Sequence, residues 1–167
     1  LKIGSPLTED VDIGPIISKQ AIAQITHFVE ESIQNGAKII VGGKIVGNSY
    51  EPTVLVADCD NDIANCKEVF GPVVTISKVK NLEQAIEFCN TSPFGLHTGV
   101  FTNDINNAHK AIEGLDCAGV MINDSSDYRI DAMPFGGVKL SGTGREGVKS
   151  TIEAMSETKV VCFKLNK

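Results

Sequence analysis

Apolar residues recur at intervals of three and four positions early in the chain. They follow Ser18 and comprise Ile22, Ile25, Phe28, Val29 and Ile33. This spacing places them on one face of a helix. Ser18 is suited to cap the N-terminus of that helix, and the Asn35-Gly36 pair is suited to end it. The pattern therefore predicts an amphipathic helix between Ser18 and Gly36.

The remaining pattern alternates short apolar runs with helical stretches. Apolar runs at 39–41 and 53–56 predict two strands bounded by Gly or Pro. After Pro72, strands and helices are predicted in the order 73–77, 82–90, 98–102, 105–115 and 118–123. This βαβαβ order, with strands apolar on both faces, predicts an α/β fold built on a parallel sheet with helices on both faces. Ligands then belong at the carboxyl ends of the strands.

The end of the chain continues the pattern with two more elements. A helix is predicted over residues 146–155, and alternating apolar positions predict a strand over 158–165. A terminal strand leaves its backbone groups unpaired unless another strand lies beside it. We therefore expect the strand over 158–165 to have a partner.

Composition and charge narrow the classes of partner. The 167 residues are 42% hydrophobic and 22% charged, which is typical of soluble globular chains. The net charge of −6 disfavours binding to nucleic acid, which is driven by Lys and Arg. No apolar stretch approaches the roughly 20 residues that a membrane span requires. We therefore expect neither a nucleic acid nor a membrane as partner.

The cysteines and histidines suggest structural roles. The five cysteines form an odd set without a Cys-x-x-Cys pair, which argues against a disulfide framework or a zinc site and favours a reducing cytoplasm. Cys89 and Cys117 are expected in the core, and Cys162 in the terminal strand; Cys59 and Cys66 flank a loop.

The histidines are not spaced as a triad or a metal site, and each is expected to be structural. They are His27, His97 and His109.

A carboxylate and an aromatic ring stand two residues apart in the sequence EVFGP at 68–72. The Gly-Pro corner fixes where Glu68 and Phe70 point. A carboxylate can accept hydrogen bonds from a ribose diol, and an aromatic ring can pack on a flat nicotinamide. The pattern thus allows a cofactor contact, with an ordinary turn as the alternative.

Two later segments carry further candidates. Gly142, Gly144 and Gly147 have the spacing of a dinucleotide fingerprint, but no strand directly precedes them and too little chain follows. We expect these glycines to form turns whose ends are tied by Arg145 and Glu146. The polar loop at 123–131 follows a predicted strand end, where a substrate mouth would lie. A solvated connection is the alternative for that loop.

Several motifs resemble those of the aldehyde dehydrogenase superfamily and occur in that family's order. Residues 68–72 resemble its Glu-x-Phe-Gly-Pro motif, and 3–6 and 12–15 resemble its Gly-x-Pro and Gly-Pro landmarks. Residues 134–146 (PFGGVKLSGTGRE) resemble the PFGGxKxSGxGRE signature nearly residue for residue. The chain is similar to the C-terminal third of that family.

The resemblance implies oxidation of an aldehyde to a carboxylic acid with NAD or NADP, through a thiohemiacetal on a cysteine. It implies that Glu68 and Phe70 contact the cofactor and that Phe135 lines the aldehyde tunnel. The family's nucleophilic cysteine, general base and oxyanion-hole asparagine precede the matched region. We therefore expect the chain to be part of a longer enzyme and to be inactive alone.

The resemblance also implies a division of the chain and an assembly. Residues 1–145 would belong to the catalytic domain, and 146–167 would form a C-terminal helix and an oligomerisation strand. A homo-oligomer, dimer or tetramer, is expected.

Within the superfamily, residues 95–106 and 123–126 are similar to the lactaldehyde and phosphonoacetaldehyde dehydrogenase branch. This implies a small aldehyde, hydroxylated or anionic, as substrate. Ser126 and Arg129 are the candidate substrate contacts in the loop, because a guanidinium suits carboxylate or phosphate. Two alternatives remain. One is a noncatalytic α/β binding or assembly domain of the same family, and the other is an acyl-transferring CoA-dependent relative.

Overall fold

The computed structural model describes residues 1–8, 10–58 and 66–165. The chain forms two compact units, Leu1–Ser92 and Pro93–Lys167. The first contains α1 (Lys19–Gln34), β1 (Lys38–Val41), β2 (Ile45–Val46), β3 (Ser49–Tyr50), β4 (Thr53–Val56), β5 (Val73–Ile76) and α2 (Leu82–Thr91). The second contains β6 (Phe94–Gly95), β7 (His97–Val100), α3 (Ile105–Gly114), β8 (Gly119–Ile122), β9 (Val138–Lys139) and α4 (Val148–Ala154).

Helix α1 supplies most of the core of the first unit. The Ser18 hydroxyl accepts a hydrogen bond from the Ala21 backbone N–H at 3.1 Å, which confirms the predicted cap. The apolar stripe of the helix packs with two residues of the neighbouring strands. The buried cluster comprises Ile22, Ile25, Phe28, Val29, Tyr50 and Leu55.

The sheet of the first unit has the strand order β1-β4-β5. Strand β4 pairs in parallel with β5, with Thr53 opposite Val73, and antiparallel with β1. Strands β2 and β3 form a separate antiparallel pair.

The second unit is built around a βαβ element. Strands β7 and β8 pair in parallel, with His97 opposite Gly119, and α3 connects them. Asp104 caps α3 by accepting from the backbone N–H groups of Asn106 and Asn107. Ala108, Ala111 and Met121 are buried in this unit. Strands β6 and β9 form a short antiparallel pair.

The predicted α/β class and its parallel strand pairing are confirmed, because β4 pairs in parallel with β5 and β7 pairs in parallel with β8. In the described residues, β5 belongs to a mixed sheet with β1 and β4, whereas β7 and β8 pair only with each other. The hydrophobic periodicity of the sequence identifies which segments form strands and which face of each strand is buried. It does not identify the partner of a strand, because pairing depends on residues distant in sequence.

The strand predicted over 158–165 depends on a partner strand, and its formation stays a prediction. Residues 156–165 form neither helix nor strand, and no described residue pairs with them as a strand. Their apolar side chains are exposed: Val160, Val161, Phe163 and Leu165. An isolated extended segment has no ladder hydrogen bonds, which is why the alternating pattern alone forms no strand within this chain.

The cysteines only partly match their predicted positions. Cys117 is half-buried, but Cys89 is exposed on α2, so its assignment to the core is wrong. Helix α2 contains no fully buried residue, which explains this exposure. Cys66 is half-buried and Cys162 is exposed; Cys59 lies outside the described residues. No helix in the described part of the chain is long and apolar enough to cross a membrane.

Candidate functional site

The segment that carries Glu68 and Phe70 is anchored on α1. The Lys67 ammonium group lies 3.0 and 3.2 Å from the two carboxylate oxygens of Glu31. At Gly71, a Cβ atom would lie 2.5 Å from Cδ1 of Ile25, so only glycine fits without displacing that buried side chain. The segment is therefore held on α1 at both ends.

The side chains of Glu68 and Phe70 point away from the core. Phe70 is 84% exposed, and Glu68 is exposed. No described residue forms a hydrogen bond or ion pair with the Glu68 carboxylate. Glu68 and Phe70 border a pocket of about 260 Å³ that is also lined by Ala21 and Gln24 of α1. Glu68 therefore presents its carboxylate oxygens beside a concave surface.

The signature segment of the second unit folds back on itself. Phe135 and Glu146 form an isolated antiparallel bridge in which each backbone N–H donates to the carbonyl of the other residue. Inside the loop, Nη1 of Arg145 donates to the carbonyl oxygens of Gly137, at 3.0 Å, and Gly144, at 2.7 Å. The expectation that Arg145 and Glu146 tie the ends of this loop is confirmed.

Glycine is required at several turns of this loop by backbone conformation. Gly142, Gly144 and Gly147 have φ angles of 132°, 76° and 118°. Residues with side chains rarely adopt these conformations. The glycine spacing thus reflects turns rather than a dinucleotide fingerprint, as expected.

The Arg129 side chain lies close to the side chains of both bridge residues, Phe135 and Glu146. Its guanidinium carbon is 4.1 Å from the centre of the Phe135 ring. Its Nη2 atom is 3.6 Å from Oε2 of Glu146. Both charged side chains are substantially exposed, at 44% and 72%. An ion pair this exposed is weak, about 0–1 kcal/mol, so the guanidinium remains available to an anionic ligand.

His97 contacts both the Phe135 ring and the loop at 123–131. Its ring meets the Phe135 ring edge-on, with centroids 5.3 Å apart and planes at 85°. Its Nδ1 atom lies 3.1 Å from the carbonyl oxygen of Ser126. The sequence interpretation assigned His97 a structural role only. No local spacing indicates these contacts, since Ser126 is 29 positions away.

The structure therefore brings Ser126, Arg129 and Phe135 together through His97 in the second unit. Glu68 and Phe70 lie in the first unit. No group of three metal-ligating side chains occurs among the residues that the structure describes.

The family model of the aldehyde dehydrogenase family matches residues 1–161. The chain belongs to the aldehyde dehydrogenase family. A lactaldehyde dehydrogenase of Methanococcus maripaludis is 47% identical over 161 residues, covering 96% of this chain and 34% of that protein. A 3-sulfolactaldehyde dehydrogenase of Priestia megaterium is 42% identical over 166 residues, covering 99% of this chain and 35% of that protein.

Solved structures of aldehyde dehydrogenases share the fold. Glyceraldehyde-3-phosphate dehydrogenase of Methanocaldococcus jannaschii, complexed with NADP, has a TM-score of 0.88 and 45% identity over 94% of this chain and 34% of its own. Aldehyde dehydrogenase 21 of Physcomitrella patens, in complex with the reaction product succinate, has a TM-score of 0.89 and 41% identity, covering 96% and 34%. The chain thus spans about a third of the length of the aldehyde dehydrogenases that it matches.

Proposed function

We propose that this chain provides cofactor-binding and substrate-binding residues of an NAD(P)-dependent aldehyde dehydrogenase that oxidises a small aldehyde to a carboxylic acid. The observation that supports this most is the family signature at 134–146. Within it, Phe135 and Glu146 form a backbone bridge, and the Arg129 guanidinium packs on the Phe135 ring. Within the proposal, residues 1–145 belong to the catalytic domain.

On the cofactor side, the proposal assigns Glu68 and Phe70. Glu68 would hold the ribose hydroxyls of the nicotinamide nucleotide by accepting their hydrogen bonds, since no described residue donates to its carboxylate. The exposed Phe70 ring would pack against the nicotinamide. NAD or NADP held by these residues would supply the hydride acceptor for the oxidation. Structures of family members with NADP and with NAD⁺ support either cofactor.

On the substrate side, the proposal assigns Phe135, Arg129 and Ser126. The Phe135 ring lines the path of the aldehyde, and the Arg129 guanidinium binds an anionic group or a hydroxyl at the far end of the substrate. The Ser126 hydroxyl, which has no hydrogen bond to a described residue, donates to the same end. The names of the relatives, with their lactaldehyde, sulfolactaldehyde and phosphorylated aldehyde, support a hydroxylated or anionic substrate.

The proposal places the catalytic cysteine outside residues 1–167, as the resemblance to the family implies. We therefore expect the 167-residue chain by itself to oxidise no aldehyde. A longer protein containing this chain and the nucleophile would be required.

The terminal residues suggest how such a protein assembles. Val160, Phe163 and Leu165 are each more than 80% exposed, and exposed apolar side chains in a row favour an interface. We propose that 146–167 form a helix and a strand that pairs with a second copy, giving a dimer or tetramer. The odd cysteine number agrees with a reducing cytoplasm as its location.

Nucleotide-dependent oxidation in the full-length protein tests the cofactor assignment. Glu68→Gln preserves the size of the side chain but removes its charge and one acceptor oxygen. We expect the KM for NAD(P) to rise about tenfold, measured from NAD(P)H absorbance with lactaldehyde as substrate. Glu87→Gln, on an exposed position of α2, is the matched control and should leave KM unchanged.

Two outcomes would contradict parts of this proposal. Equal KM values for the two variants would refute the role of Glu68. Absence of NAD(P)H formation with every aldehyde tested, in a protein that still oligomerises, would favour the noncatalytic assembly domain.

A further inference from the structure

Strand β7 presents two residues to the loop at 124–126. His97 and Gly99 are two positions apart in the strand, so they face the same side. A Cβ atom at Gly99 would lie 2.7 Å from the carbonyl oxygen of Asp124 and 3.3 Å from the backbone nitrogen of Ser126. The loop backbone therefore lies directly on Gly99, a close approach that a side chain would prevent.

The ring of His97 lies close to Gly119, where the side chain of any other residue would crowd it. Gly119 is the register partner of His97 on β8. A Cβ atom at Gly119 would lie 2.6 Å from Cδ2 and 2.9 Å from Nε2 of His97. The ring is thus in close contact with both Gly119 and the Phe135 ring, which limits its orientation.

The hydrogen bond to Ser126 determines the tautomer of His97. A carbonyl oxygen only accepts, so Nδ1 must carry the proton that it donates across 3.1 Å. In the neutral ring, Nε2 then carries the lone pair. One side chain thereby contacts both the loop that leads to Arg129 and the ring on which Arg129 stacks.

We propose that His97 is a positioning residue for the substrate end of the site: its Nδ1–H group fixes the Ser126 carbonyl while its ring fixes Phe135, and together these contacts place the Arg129 guanidinium. The inference rests on the proposed function for its enzymatic consequence. The loop geometry itself can be tested whether or not the protein is a dehydrogenase.

Two substitutions separate the contacts of His97. His97→Asn retains an N–H donor but lacks the ring, whereas His97→Phe retains the ring but lacks the donor. Arg129 is a trypsin site in an exposed loop, so cleavage after it reports on how firmly the loop is held. In the full-length protein, we expect about three- to tenfold faster cleavage for His97→Phe and near wild-type cleavage for His97→Asn.

The kinetic counterpart uses an anionic aldehyde as substrate. His97→Phe should raise its KM about three- to tenfold while kcat changes less, and His97→Asn should recover part of this loss. His109→Ala, on an exposed position of α3, is the matched control and should change neither cleavage nor KM. Equal protection from trypsin in His97→Phe and the wild type would overturn the proposal.

NMR on the unsubstituted protein tests the proposal even if the variants do not fold. The neutral His97 ring should be the Nδ1–H tautomer by its ¹⁵N shifts, and an Nε2–H tautomer would overturn the proposal. If the protein oxidises no aldehyde, the proposed function fails, while the trypsin and NMR results still decide the role of His97.

Discussion

The guanidinium carbon of Arg129 lies 4.1 Å from the centre of the Phe135 ring. A cation placed over an aromatic face is attracted by about 0.5–1 kcal/mol at an exposed site. This attraction is strong enough to favour one orientation of the guanidinium, and Glu146 lies 3.6 Å from it on a second side. Neither contact consumes all five N–H donors of an arginine. Arg129 is therefore oriented and still able to bind a ligand.

Arg129→Ala in the full-length protein tests this availability. We expect kcat/KM to fall about ten- to hundredfold for an anionic aldehyde and much less for a neutral one, because only the former loses a charge-assisted hydrogen bond. Arg129→Lys should lie between, since the ammonium retains the charge but not the planar donor geometry. Steady-state kinetics with both aldehydes provide the measurement.

A matched control for Arg129 is available on α4. Lys149 is also an exposed cation beside a glutamate, 4.0 Å from Glu153. Lys149→Ala should leave kcat/KM unchanged for both aldehydes. Equal losses for anionic and neutral aldehydes in Arg129→Ala would exclude charge pairing with the substrate.

Gly71→Ala tests how the cofactor segment is held on α1. The added Cβ would lie 2.5 Å from Cδ1 and 2.7 Å from Cγ1 of Ile25, which is 1% exposed and has little room to move. Overpacking of this kind costs about 1–3 kcal/mol. We expect that decrease in the free energy of unfolding by urea denaturation, together with a higher KM for NAD(P), because Glu68 and Phe70 are displaced with the turn.

Gly14→Ala provides the comparison for Gly71→Ala. The nearest atom to a Cβ at Gly14 is Cδ of Pro6 at 3.9 Å, an ordinary van der Waals distance, and Gly14 has no positive φ. Its free energy of unfolding should change by about 0.5 kcal/mol or less. Equal stability of the two variants would show that the Gly71–Ile25 approach imposes no constraint.

Local signals in the sequence predicted the helices well. The Ser18 cap accepts the expected backbone hydrogen bond, and α1 ends at its Asn35 cap as predicted. Asn81 caps α2 in the same way, by accepting from the Gln84 backbone N–H. These features depend on residues within one turn of each other, so a sequence pattern contains them in full. The turns at Gly142 and Gly144 were predictable for the same reason.

Contacts between distant segments could not be predicted in this way. The parallel pairing of β4 with β5 and the approach of His97 to Ser126 and Phe135 join residues far apart in sequence. No catalytic or metal-binding motif adjoins His97 in the sequence. Its contacts come from Gly119 and from Phe135 of the signature loop, which are distant in sequence. Hence the motifs identified Phe135 and Arg129 as candidates, but only the fold added His97.

Asp104→Ala tests the cap of the crossover helix α3, which connects the two parallel strands of the second unit. Oδ1 of Asp104 accepts from the backbone N–H of Asn106 at 2.8 Å and of Asn107 at 3.4 Å. Loss of such a cap costs about 1 kcal/mol. Urea denaturation should show this loss for Asp104→Ala and almost none for Asp104→Asn, whose amide oxygen also accepts.

The adjacent residue serves as control for the cap. Asn103 is exposed and precedes the cap position, so Asn103→Ala should be within about 0.5 kcal/mol of the wild type. A similar loss in Asp104→Asn and Asp104→Ala would indicate that the charge of Asp104, rather than capping, stabilises α3.

Tyr50 makes the stability of the first unit sensitive to alkaline pH. Burial of its side chain, which is 1% exposed, raises the pKa of the phenol above its ordinary value, and a hydrogen bond with Thr26 offsets part of this effect. The folded state therefore favours the neutral phenol. Its contribution to stability is fully present below about pH 10, the unfolded pKa, and is lost as pH rises through the higher folded pKa.

The two tyrosines of the chain allow this effect to be isolated. In the 167-residue chain with Tyr128→Phe, the phenolate absorbance can arise only from Tyr50, and it should increase above pH 10 together with the loss of helical circular dichroism. In Tyr50→Phe, the free energy of unfolding should decrease less steeply over the same pH range than in Tyr128→Phe, because the buried titrating group is gone. Identical pH dependence in the two variants would mean that ionisation of Tyr50 is not linked to unfolding.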